Sequence, residues 1–161
     1  MKDLSPELSR LAKDAAARLI GHGHTVAVAE SSAGGLLSAT LLSVPGASAY
    51  FLGGAVVYTH RARKALLDVP DAAMTGIRSA SEPYALLLAR TVRERFDSTW
   101  GFAETGATGP TGNRYGDAAG HACLAIAGPQ EAVITLETGS GDRVANMHAF
   151  VAAVLTLYLR N

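Results

Sequence analysis

Apolar residues at the start of this chain recur first at helical spacing, then in a short continuous run, then at helical spacing again. Residues 4–19 place leucines and alanines on one face of a helix. Residues 25–29 are short, apolar and partly β-branched, which is typical of a buried strand. Residues 34–44 return to helical spacing and stop at a Pro-Gly pair. The pattern predicts helix, strand and helix in succession.

The same alternation of helices and strands continues through the rest of the chain. The pattern predicts strands over residues 51–58 and 99–103, helices over residues 59–67, from Ser81 onward and at the C-terminus, and a hairpin of residues 119–127 and 132–137. The stretch between Glu104 and Asn113 is rich in glycine and hydroxyls, which predicts a long loop. Helices that alternate with strands favour a three-layer α/β/α sandwich with a mixed, mostly parallel sheet.

Composition restricts the classes of protein that this sequence fits. The chain has 161 residues, and we expect one domain over residues 1–161. Fourteen basic and fourteen acidic side chains cancel, so nothing in the charge favours nucleic acid. The single cysteine, Cys123, excludes an internal disulfide, and no Cys/His spacing indicates a metal. We expect a cytoplasmic protein with no membrane segment, because no apolar stretch reaches membrane-spanning length.

Polar residues of types that can catalyse reactions or bind ligands follow three of the predicted strands. The first strand ends at Glu30-Ser31-Ser32, the second at Tyr58-Thr59-His60-Arg61 and the third at Glu104-Thr105-Gly106. Ligands of open α/β sheets bind beyond the carboxyl ends of the strands, so parallel neighbours would bring these residues to one cleft. Hydroxyls, backbone N–H groups and arginines suit a phosphorylated small molecule. Ser31 could be a nucleophile there, or it could hold an anion.

The order of these motifs resembles one known family. The sequence ESSAGG at residues 30–35 resembles the Glu-Ser-Cys-Thr-Gly-Gly motif of the CinA C-terminal domain family. Colinear matches follow at residues 44–54 (VPGASAYFLGG), 80–82 (ASE), 105–110 (TGATGP) and 141–143 (GDR). Each match is modest alone, but together they cover nearly the whole chain.

The resemblance implies a serine hydrolase that releases ammonia from the carboxamide of nicotinamide mononucleotide without a metal or organic cofactor. Ser31 would attack the amide carbon, a lysine after the second strand would accept its proton, and Tyr58 would assist. Thr105 and Gly106 would line the oxyanion or ribose side, and Arg143 would hold phosphate. Carrying the motifs over gives this set of substrate-binding residues: Glu30, Ser48, Arg63, Thr105, Gly106 and Arg143.

This chain departs from the family at the position of the lysine. The family segment runs Tyr-Ser-Asn-Glu-Ala-Lys, whereas residues 58–63 here are YTHRAR, so Arg63 stands where the lysine is expected. A guanidinium stays protonated and cannot be the base. Lys64 is one residue later, about 100° around a helix. Either the hydrolase persists with Lys64 or His60 as base, or the chain binds a phosphorylated nucleotide-like molecule without deamidating it.

Self-association is also expected from the sequence. The apolar segment Tyr50-Phe51-Leu52 could form an interface between copies of the chain, although burial in the core is the commoner outcome. We expect a homo-oligomer whose ligand is a small molecule.

Overall fold

The computed structural model describes residues 4–161 as five helices around a five-stranded sheet. The helices are α1 (Pro6–His22), α2 (Leu36–Leu42), α3 (His60–Leu67), α4 (Glu82–Phe96) and α5 (Arg143–Arg160). The strands are β1 (Val26–Glu30), β2 (Phe51–Val56), β3 (Trp100–Ala107), β4 (His121–Ala127) and β5 (Glu131–Glu137). Short 3-10 turns occupy Ala47–Ala49 and Asp71–Met74. No helix among the described residues is both long and apolar enough to cross a bilayer.

The sheet is mixed, with its parallel part first. The strand order is β2-β1-β3-β4-β5. Strand β1 runs parallel to both neighbours, and its last residue, Glu30, pairs with Val56 of β2 and Glu104 of β3. Strands β3, β4 and β5 then pair antiparallel. The three carboxyl ends expected to converge therefore lie side by side at one edge of the sheet.

Helices cover both faces of the sheet, which confirms the three-layer sandwich. On one face α1, α2 and α5 pack against Val28, Phe102 and Leu124. On the other face α4 and the end of α3 pack against Ala29, Ala103 and Ala125. The small side chains on the second face let α4 approach closely: a Cβ at Gly101 would overlap the carbonyl oxygen of Ala89. Strands buried on both faces explain the continuous apolar runs of the sequence.

The main difference from the sequence-based prediction lies after Ala103. The predicted loop from Glu104 is wrong in its first part, because β3 continues to Ala107. The extension is stabilised by the antiparallel ladder with β4, in which Thr105 pairs with Cys123 and Ala107 with His121. Glutamate, glycine and alanine are depleted in strands, but pairing with a buried central strand outweighs that local preference. The extension carries Thr105 and Gly106 on a rigid element.

Candidate functional site

A two-lobed cleft lies at the carboxyl edge of β1, β2 and β3. The first lobe, of about 370 Å³, is lined by Ser31, Val57, Tyr58, Thr59, His60, Ser79, Ala80, Tyr84, Thr105, Gly106, Asn113, Arg114 and Tyr115. The second lobe, of about 240 Å³, is lined by Ser32, Tyr58, Gly106, Ala107, Thr108, Gly109, Thr111, Gly112, Asn113 and Arg143. Tyr58, Gly106 and Asn113 line both lobes, so the lobes adjoin.

The turn that carries Ser31 is fixed from below by Glu104. One carboxylate oxygen of Glu104 accepts hydrogen bonds from Ser31 N at 3.0 Å and from Ala33 N at 2.8 Å. Its other oxygen accepts the Ser32 hydroxyl in a short hydrogen bond. Ser31 itself is half-buried and opens onto the first lobe. The backbone of the turn is therefore held rigidly while the Ser31 side chain faces the cleft.

Glu30 lies beside Glu104, but its carboxylate accepts hydrogen bonds from a different element, helix α2. Its carboxylate accepts Leu37 N at 2.9 Å, Ser38 N at 3.0 Å and the Ser38 hydroxyl at 2.6 Å. It satisfies free N–H groups at the start of α2, where a negative charge also meets the positive end of the helix dipole. Glu30 is fully buried and lines neither lobe. The structure therefore places this predicted substrate-binding residue in the support of α2.

Burial raises the pKa of Glu104 to about 7. Hydrogen bonds from Ser32, Ala33 and Ser31 pull the pKa down, and the neighbouring charge of Glu30 pushes it up. A carboxyl group without access to water favours its neutral form, which explains the direction. The sequence placed Glu104 at a strand end but gave no sign that it supports the serine turn.

Thr105 and Gly106, predicted from the sequence, both line the first lobe. The Thr105 hydroxyl is buried and accepts the backbone N–H of Ala80 at 3.2 Å. Its own hydrogen is left for donation. Gly106 has no room for a side chain, because a Cβ there would overlap the backbone at His121. Ala80 belongs to a wall of the first lobe that sequence reasoning missed.

Arg143, at the first position of α5, lies in the second lobe as the sequence predicted. Its Nη1 donates to the carbonyl oxygen of Gly109 at 2.7 Å, which ties it to the loop after β3. That loop is held in turn by Asn146, which donates to the Thr108 carbonyl oxygen at 2.8 Å. The guanidinium thus reaches the second lobe with donors to spare, a suitable partner for phosphate oxygens.

Helix α3 separates the three basic candidates that follow β2. His60 lines the first lobe. Arg63 turns inward, is only 3% exposed, and lies 5.9 Å from the centre of the Tyr84 ring and 3.4 Å from Asp71. Lys64 is exposed to solvent, and neither it nor Arg63 lines either lobe. With Arg63 on the inner face, the helix rotates Lys64 away from Ser31.

Ser48 lies far from the cleft. Ser48 is exposed in the 3-10 turn before β2, and the carbonyl oxygen of Tyr50, the residue that caps this turn, accepts the N–H of Val26 at the start of β1. The amino ends of parallel strands lie at the opposite edge of the sheet from their carboxyl ends. The predicted substrate-binding role of Ser48 therefore has no support from its position in this chain.

The charge of the cleft is positive. Arg114 lines one lobe and Arg143 the other, and no carboxylate of residues 4–161 lines either. Asp117 is close by, but both of its oxygens are bound by Arg78, at 2.6 and 2.9 Å. Within residues 4–161, no group of three or more His, Cys, Asp or Glu side chains is arranged to hold a metal. The cleft is suited to an anionic organic molecule.

Comparison with known proteins agrees with this architecture. The CinA C-terminal domain model matches residues 8–161. A CinA-like protein of Anaeromyxobacter sp. (strain K) is 38% identical over 162 residues, which is 99% of this chain and 38% of that protein. A CinA-like protein of Synechococcus sp. (strain CC9902) is 44% identical over 69% of this chain and 27% of its own length. The chain spans about a third of these relatives.

Solved structures match over the whole fold. The competence/damage inducible protein CihA from Agrobacterium tumefaciens superposes with a TM-score of 0.90 at 26% identity and covers 100% of both chains. The competence-damaged protein (CinA) superfamily protein from Enterobacter cloacae superposes with a TM-score of 0.88 at 27% identity, covering 99% of this chain and 95% of that one.

Proposed function

Because this chain belongs to the CinA C-terminal domain family, we propose that it hydrolyses the carboxamide of nicotinamide mononucleotide to nicotinate mononucleotide and ammonia. The observation that carries the proposal is the two-lobed cleft, with Ser31 in one lobe and Arg143 in the other. A mononucleotide has a matching layout, with an amide on the base and a phosphate on the ribose.

Ser31 is the nucleophile in this proposal. Its Oγ attacks the carboxamide carbon, and its proton passes to the imidazole of His60, which lines the first lobe. Histidine is a common proton acceptor in enzymes that work near neutral pH. The Thr105 hydroxyl donates toward the developing oxyanion. The protonated imidazole then returns the proton to the departing nitrogen, so ammonia leaves. Water then gives a proton to the same imidazole and attacks the ester on Ser31, and the imidazolium returns this proton to Ser31 Oγ as the acid leaves.

Arg143 holds the phosphate of the nucleotide. Tyr58 and Asn113, which line both lobes, contact the ribose between the two ends. Because Arg143 is distant from the reacting amide, it contributes to binding of the substrate rather than to the chemical step. Arg143→Gln raises KM for the nucleotide by about 10- to 100-fold, the effect of one lost charge-assisted contact, with kcat little changed.

The test is ammonia release from nicotinamide mononucleotide. Ser31→Ala lowers kcat by about 10³-fold or more, and His60→Gln lowers it by about 10²- to 10⁴-fold. Lys64→Ala retains activity, as does the matched control Lys13→Ala, an exposed lysine on α1. Loss of activity in Lys64→Ala alone would transfer the base to Lys64. Equal rates in the wild type and Ser31→Ala would refute the mechanism.

A second function is favoured by the position of Arg63. The family lysine is replaced by an arginine that packs against Tyr84 outside both lobes, so the chain lacks the usual base in the cleft. The chain would then bind a phosphorylated nucleotide without deamidating it. Titration calorimetry showing that nicotinamide mononucleotide binds, together with no ammonia release from the wild type, would establish this function instead.

A further inference from the structure

The wall of the first lobe at Ala80 is held by a buried histidine that no part of the proposed reaction uses. His121, at the start of β4, is 6% exposed. Its Nε2 lies 2.9 Å from the carbonyl oxygen of Ala80, and its Nδ1 makes a short hydrogen bond with Glu137 of β5. Ala80 lines the first lobe.

The backbone at Ala80 is strained and therefore needs such support. Its φ is +53°, in the left-handed region that residues other than glycine rarely adopt. Its N–H donates to the Thr105 hydroxyl at 3.2 Å, so the same residue also positions a side chain of the cleft. Release of the Ala80 carbonyl would let this turn relax and weaken the hydrogen bond between Ala80 N and the Thr105 hydroxyl.

Both ring nitrogens of His121 face acceptors, which determines its protonation state. A carbonyl oxygen and a carboxylate oxygen can only accept, so each nitrogen must carry a hydrogen and the ring is an imidazolium. Burial alone would lower the pKa of His121, but the hydrogen bonds to Glu137 and Ala80 and the charge of Asp117, 3.7 Å away, outweigh it and raise the pKa. These contacts therefore favour the imidazolium form in the folded chain.

Charged and titratable groups approach His121 from several elements. Glu137 comes from β5, and Asp117, itself paired with Arg78, comes from the loop before β4. The Cys123 thiol of β4 lies 3.7 Å from Nε2. Glu82 of α4 is one step further away and accepts the Thr135 hydroxyl at 2.7 Å. The carboxylates favour the imidazolium, and Arg78, paired with Asp117, also donates from Nη1 to the Ala80 carbonyl oxygen at 3.3 Å.

From these contacts we infer that His121 is a positioning residue. Its charged form holds the Ala80 carbonyl by a hydrogen bond, here called the clamp, and thereby keeps the first lobe in the conformation that binds substrate. When the ring loses a proton, the remaining hydrogen stays toward Glu137, the stronger acceptor. The bare Nε2 lone pair then opposes the Ala80 oxygen, which keeps only its longer hydrogen bond from Arg78 Nη1, at 3.3 Å, so the turn loosens. Because the folded pKa is raised, the clamp is complete below the ordinary value of 6.5 and is lost as pH rises through the folded value.

A ligand-free measurement tests this inference, so its failure is distinct from failure of the proposed function. We would follow the protection of the Ala80 amide against hydrogen exchange, corrected for intrinsic exchange, alongside the ¹⁵N shifts of His121. In the wild type, protection falls at least about tenfold as the ring titrates. In Glu137→Gln it stays constant, because the neutral amide lets an uncharged ring keep its hydrogen on Nε2.

The matched control is Glu131→Gln on the same strand, whose carboxylate pairs with Arg90 and lies away from His121. It keeps the pH dependence of the wild type. The clamp would be overturned if protection of the Ala80 amide stayed constant while His121 titrates in the wild type, or if it fell equally in Glu137→Gln. His121→Gln gives low protection at every pH if the charge is required, whereas wild-type protection in that variant would also overturn it.

Discussion

At the scale of single residues, the neighbouring glutamates Glu30 and Glu104 have separate structural tasks. Glu104 accepts hydrogen bonds from the serine turn, and Glu30 accepts them from the start of α2. Both are fully buried, and they pair across β1 and β3. Two carboxylates so close together, with no counter-charge bonded to them, make the protonation of Glu104 part of the stability of the site.

The free energy of unfolding should therefore fall as pH rises, and Glu104 should cause part of this fall. Its folded pKa, about 7, lies above the ordinary value of 4.5, so folding takes up a proton between these values. The free energy of unfolding decreases as pH rises from about 4.5 through about 7. Urea unfolding at several pH values measures this dependence.

Glu104→Gln is the matched variant, because an amide can still accept from Ser31 N and Ala33 N and can donate to the Ser32 hydroxyl. Its unfolding free energy should lose the part of the pH dependence that Glu104 causes. An identical pH profile in the wild type and Glu104→Gln would show that Glu104 does not titrate in this range.

At the scale of elements, α4 sets how closely the second helical layer approaches the sheet. The contact is at Gly101 of β3, where an added Cβ would overlap the Ala89 carbonyl. Backbone cannot move aside as a flexible side chain can, so Gly101→Ala should lower the free energy of unfolding by about 1–3 kcal/mol or more.

Gly21 near the end of α1 is the control for this change. It has nothing within 4 Å of an added Cβ and does not adopt a positive φ. Gly21→Ala should therefore stabilise the chain by roughly 0.5–1 kcal/mol, the usual gain of alanine over glycine in a helix. Equal effects of the two substitutions in urea unfolding would contradict this account of α4 packing.

Elements were predictable from the sequence where hydrophobic pattern and local propensity agree. The helices, β1 and the β4–β5 hairpin follow from apolar runs that end in turn residues. The extension of β3 to Ala107 did not, because its stability comes from pairing with β4, a partner distant in sequence. The inward turn of Arg63 was also hidden, since basic side chains usually lie at the surface.

In the candidate site, too, local motifs predicted some residues, whereas residues that depend on distant contacts were not predicted. Ser31, Tyr58, Thr105, Gly106 and Arg143 line the cleft, because each follows a motif at the carboxyl edge of the sheet or at the start of α5. Ala80 and His121 were missed, because their contribution depends on hydrogen bonds between segments about 40 residues apart. No local pattern in the sequence reports such contacts.

At the scale of the whole molecule, strand order is what assembles the cleft. Strand β1 lies between β2 and β3, so the carboxyl ends of these three parallel strands lie side by side at the cleft. Strands β4 and β5 extend the sheet on the far side of β3. The start of α5 then closes the second lobe with Arg143. Strand β2 is left at the edge, with Leu52 and Val56 exposed, and self-association of the chain stays a prediction.

The most direct test of the two-lobed cleft is a crystal structure of Ser31→Ala with nicotinamide mononucleotide bound. The account predicts the phosphate within about 3 Å of the Arg143 guanidinium and the carboxamide beside residue 31 and Thr105. This orientation is required whether the wild type deamidates the nucleotide or only binds it. A nucleotide bound in the reverse direction, or outside the two lobes, would contradict the account.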